Sequence, residues 1–153
     1  MTQGSRSGTG REDQPIWQPV TAVGMLTTIV AEQLEYTRSQ LALLEQARPS
    51  RPDAKILDDH TVAETLRVYG TMSEDYRALF AEQGRRWRAE TTLTPAARAK
   101  IDAYTELVTE QLAALDAILA LAREIEGHTI EKVLATSDLE LGIQALLGGR
   151  GIR

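Results

Sequence analysis

The 153-residue chain has no cysteine, a single phenylalanine and five prolines. Without cysteine there are no disulfides, no thiolate metal ligands and no cysteine nucleophile. The alternation of apolar and polar residues that marks a half-buried strand is missing throughout. Apolar residues recur instead at helical spacing, so the expected fold class is all-α. No run of eighteen apolar residues offers a membrane span, and residues 1–14 lack the apolar centre of a secretory signal. These absences predict a cytoplasmic protein. The formal net charge is −5 and no acidic or basic tail concentrates it, so there is no global attraction to nucleic acid.

Sites of covalent chemistry are equally scarce. The chain has no Gly-x-Ser-x-Gly elbow, no Gly-x-x-x-x-Gly-Lys phosphate loop and no Gly-rich strand-to-helix turn. Its carboxylates mostly lie within a helical turn of a basic residue, and none is paired as a matched acid and base. The reading is a non-enzyme that needs no cofactor.

What the chain does have is long apolar stripes. From Ala97, the residues Ile101, Tyr104, Val108, Gln111, Leu115, Ile118, Ala122 and Ile125 follow at alternating steps of four and three. Only Gln111 interrupts an apolar row that extends over about 45 Å of α-helix, at about 1.5 Å per residue. Thr94 and Pro95 supply an N-cap and a first-turn proline, and Gly127 is expected to stop the helix in a left-handed C-cap. A first helix is predicted over Pro19–Ala47, with the stripe Val20, Val23, Leu26, Val30, Leu34, Thr37, Leu41 and Leu44. Met25, Ile29, Tyr36 and Leu43 widen that face enough for two neighbours. A second helix begins near Asp58 or Asp59 and carries Val62, Leu66, Tyr69, Ser73, Tyr76, Phe80, Gln83 and Trp87. Gly70 and Gly84 border its apolar face and predict a close approach by another helix. Ser73, Gln83 and Gln111 interrupt the seams, either as polar residues that set register or oligomer order or as the solvated edge of a stripe. Trp17 is expected to pack on the bundle end.

Together these features predict an elongated antiparallel bundle of three long helices over residues 15–127, plus two short C-terminal helices over residues 128–148. Residues 1–14 and 149–153 read as flexible tails. The two short helices are predicted as Thr129–Thr136 and Asp138–Leu147, the second capped by Ser137 and Glu140. In the second, Leu139, Ile143, Leu146 and Leu147 share one face and Leu141 points nearly the opposite way. A helix apolar on both sides must either cap the bundle or dock into a partner.

Three constellations bear on function. The five residues Leu139, Leu141, Ile143, Leu146 and Leu147 predict burial of this helix in the groove of a protein partner or a second copy, with oligomers as one outcome. Arg85, Arg86 and Arg88 around Trp87 form a basic patch that could hold phosphates, the alternative reading as a nucleic-acid accessory protein. Against it, cations at a helix C-terminus are favoured by the helix dipole alone. His60 with Glu64 and Glu124 with His128 have helical spacing, but His60 and Glu64 turn away from the inward stripe. They read as solvated charge partners rather than metal ligands.

Overall fold

A computed structural model describes residues 15–148. The predicted tails, 1–14 and 149–153, lie outside the described residues. Within that span the chain is all-helical and contains no strand. A short 3-10 turn, Val20–Ala22, leads into α1, Val23–Glu45. Next comes a rod of three pieces: α2, Asp59–Asp75; a π-helical segment, Tyr76–Ala81; and α3, Glu82–Arg88. The long helix α4 covers Pro95–Glu126, and α5 covers Ile130–Gly148.

The helix ends have local causes. Asp58 precedes α2 in an extended conformation, and its carboxylate accepts from the Thr61 N–H at 2.7 Å. Bonding to Thr61 holds the Asp58 carboxyl below its usual range. Thr94 caps α4 in the same way, accepting from the Ala97 N–H at 3.1 Å, with Pro95 at the first helical position. These hydroxyl and carboxylate oxygens satisfy N–H groups that have no intrahelical partner.

Helix α4 is the centre of the body. Along its stripe, every residue from Ile101 to Ile125 is buried. Both α1 and the α2–π–α3 rod pack along α4, while their own backbones stay apart. Val23 clusters with Trp87 and Ile101, whereas Ala47 clusters with Val62 and Ile125. Helices α1 and α4 therefore run parallel and the rod runs against both.

A polar pair is buried inside the core. Gln111 of α4 is fully buried, and its amide donates to the Thr37 hydroxyl of α1 at 2.9 Å. The Tyr76 hydroxyl and Gln111 Oε1 are buried next to this pair, and neither has a fixed partner. Burial pushes the Tyr76 phenol up to about 12. The larger cluster spans this pair, with Trp87, Tyr104 and Val108 on one side and Leu115 a turn beyond it; the smaller, further along, contains Ala47, Val62, Leu121 and Ile125.

Several expectations need correction. The two short C-terminal helices are a single helix, α5, which runs straight through Thr136-Ser137-Asp138. Ser137 and Glu140 are interior positions of it, not a capping box. No proline interrupts this segment, and serine and threonine are only mildly unfavourable inside a helix. Gly127 ends α4 with φ −80° and ψ −4°, a right-handed conformation that needs no glycine. The close approach holds at Gly84, where an added Cβ would meet Thr105 Oγ1 and Tyr104 Cε1 at 3.3 Å; at Gly70 it would meet nothing within 4 Å. The first helix is shorter than expected and opens with a 3-10 turn.

The π segment was not foreseen either. The Phe80 carbonyl within it accepts from the Tyr104 hydroxyl at 2.7 Å. Tyr76 and Phe80, four residues apart within it, stack with centroids 4.4 Å apart.

Candidate interaction surface

Helix α5 carries every predicted partner-binding residue. Its first turn is tied to the body at four points. The Ile130 N–H donates to the Leu57 carbonyl at 2.9 Å, and the buried Thr129 hydroxyl donates to Asp59 Oδ1 at 2.5 Å. Glu131 Oε1 accepts from the Asp59 N–H at 3.0 Å, and Lys132 Nζ donates to the Glu126 carbonyl at 2.6 Å. Beyond this root the helix packs on no other element, and every side chain from Ile130 to Leu147 is outside the core. Leu139, Leu141, Leu146 and Leu147 are between 62% and 75% exposed, and Ile143 is 48% exposed. At about 100° per residue, Ile130, Val133, Leu134 and Leu141 form one apolar face. Leu139, Ile143, Leu146 and Leu147 form another, roughly opposite.

A second apolar surface lies on the body. The seam between α1 and the rod is open, with α4 as its floor. At one end a cleft of about 200 Å³ is lined by Leu43, Leu44, Leu57, Tyr69 and Ile118. At the other a cleft of about 400 Å³ is lined by Trp17, Leu26, Leu79, Phe80 and Tyr104. Tyr36 stands between them on α1, 57% exposed, and its charge when ionised joins burial in raising the Tyr69 phenol. The sequence signal for this seam was the widened stripe of α1. Of the four residues that widen it, Met25, Tyr36 and Leu43 are exposed and Ile29 is half-buried.

The N-terminal approach closes one end of the seam. The Gln18 N–H donates to Gln83 Oε1 at 2.7 Å, and the Trp87 indole donates to the Gln18 carbonyl at 2.8 Å. Gln83 is therefore a clasp for the incoming chain. Trp17 is half-buried over the larger cleft, under the Arg86 guanidinium, which lies 4.2 Å from the ring centroid.

The basic patch is largely neutralised from within. Arg85 pairs with Glu82 at 2.8 Å, Arg86 lies 3.5 Å from the same carboxylate, and Arg88 pairs with Asp102 at 2.5 Å. Trp87 is 1% exposed and packs edge-on against Tyr104, so it offers no surface for stacking a base. Glu64 is held by Arg67 and Glu124 by Arg48, each at 2.8 Å. These pairings leave His60 and His128 without the carboxylates that share their spacing. Among the described residues, no three histidine, aspartate or glutamate side chains gather as a metal site. None of the described helices is long and apolar enough to cross a membrane.

Comparison with protein-family models, curated proteins and solved structures yields no match to this chain. The functional reading therefore rests on its own surfaces.

Proposed function

We propose that this is a non-enzymatic interaction protein of the cytoplasm, an adaptor that binds a protein partner or itself through apolar helix faces. One observation carries the reading: α5 is a 19-residue helix rooted firmly at one end and uncovered along the rest, with leucine and isoleucine on two sides. A helix that is apolar all round is normally enclosed. Each large side chain removed from water contributes about 1.5–3 kcal/mol, so Leu139, Leu141, Ile143, Leu146 and Leu147 supply the drive for docking. The rigid root lowers the ordering cost of binding, because the first turn is already held.

The test is deletion of everything after Lys132, which preserves the Thr129 and Glu131 contacts. The expected outcome is loss of association, with the urea unfolding midpoint of the body unchanged. If the body unfolds on deletion, α5 is part of the core and the adaptor reading fails. The alternative is a nucleic-acid accessory protein using Arg85, Arg86 and Arg88, and it gains no support from their pairing with Glu82 and Asp102. Salt-dependent retardation of DNA or RNA, abolished by changing those arginines, would revive it.

A further inference from the structure

The open seam and the uncovered helix fit one another in length and character. From Leu26 to Leu43, α1 borders the seam for about 26 Å, and the 19 residues of α5 extend about 28 Å. The seam is lined by apolar and aromatic side chains and interrupted by few polar ones. Helix α5 begins at the Leu57 end of this same seam, yet beyond its four-point root it packs on neither wall of its own groove. We infer that the occupant of the groove is α5 of a second copy of this chain, the two copies exchanging helices about a two-fold axis. This inference rests on the reading of α5 as an interaction element.

The area is adequate for a stable dimer. A cylinder about 10 Å wide and 28 Å long has a lateral surface of about 900 Å². Covering half of it, with a matching area of groove, and doing so twice, buries about 1,800 Å², within the usual range for specific complexes. An exchanged pair is self-complementary and closes on itself, so it does not propagate into fibres. It also accounts for the two apolar faces. Each α5 enters its groove at the end where the receiving copy's own α5 departs, so one face meets the groove and the other meets that neighbouring helix.

Two double variants test the arrangement by sedimentation over about 1 µM to 1 mM. One alters the helix, Leu141→Asp with Leu146→Asp. The other alters the groove wall, Tyr36→Asp with Leu43→Asp. All four side chains are more than half exposed, so the body tolerates the changes. The unaltered chain should sediment at twice its 16.8 kDa mass, and each variant alone at the monomer mass. An equimolar mixture should recover a weaker dimer at the upper end of that range, because one of the two helix–groove contacts is restored.

A dimer that survives the groove changes, or a mixture that stays monomeric, overturns the exchange. An unaltered chain that is monomeric throughout the range overturns it too. In that case, capture of a different host protein, lost on deletion after Lys132, would leave the adaptor reading standing. If neither self-association nor such capture depends on α5, both readings fall.

Discussion

Helices α4 and α5 follow one another with only three residues between them, yet their fates are opposite. Helix α4 gathers its apolar residues on one stripe and buries that stripe from Ile101 to Ile125. The second helix is the more apolar of the two, but its leucines point in several directions and no other described element covers them. Arrangement, more than apolar content, decides what one chain can hide. A stripe needs neighbours on one side only, whereas an apolar surface all round needs them on every side, and three helices cannot supply that.

Equal substitutions on the two helices should therefore give unequal results. Trp87→Ala removes a side chain packed against Tyr104 at the heart of the larger cluster, and should cost about 3–5 kcal/mol in urea unfolding. Leu146→Ala, on the exposed helix, should change monomer stability by no more than about 0.5 kcal/mol. A body that loses as much from the second change as from the first would erase the contrast.

The next largest effect is alkaline. Burial raises both Tyr76, to about 12, and Tyr104. A group whose folded pKa is raised adds stability that is complete below its unfolded value, about 10, and is lost as pH climbs through the folded value. The body should therefore weaken by a few kcal/mol between about pH 10 and 12, and Tyr76→Phe should remove part of that slope. Far-ultraviolet circular dichroism under mild denaturant reads it.

A smaller effect separates two glycines of the rod. Gly84→Ala forces a methyl against Tyr104 and Thr105, and should cost about 1–2 kcal/mol despite the better helix propensity of alanine. Gly70→Ala opens onto free space and should stabilise by about 0.5–1 kcal/mol. Thermal melts of the pair should move in opposite directions. Thr94→Ala, which deletes the cap of α4, should cost about 1 kcal/mol.

The stripes were legible because they follow from spacing alone. Ile101 through Ile125, Val62, Ser73, Tyr76 and Trp87 all lie where a count of fours and threes puts them. The cap at Thr94 was equally plain, since few residue types can satisfy a first turn. Other features hid for physical reasons. Ser137 and Glu140 match a cap as well as they match helix interior, and only the continuity of the backbone separates the two. The π segment carries no residue that demands it, being held by the Tyr104 hydroxyl from another helix. The open seam depends on α1 and the rod leaning apart over α4, which no local pattern encodes. The widened face of α1 hinted at a second neighbour without saying that the described residues provide none.

The division of the core into two clusters has a consequence for how the body comes apart. The aromatic cluster reaches as far as Leu115, and the small cluster of Ala47, Val62, Leu121 and Ile125 stands apart from it. That cluster has few large side chains, and it stands beside the root of α5. Local opening will concentrate there, so the ordered root of the projecting helix should exchange sooner than the aromatic cluster. Amide exchange will report two levels of protection along the long central helix, with the change beyond Leu115.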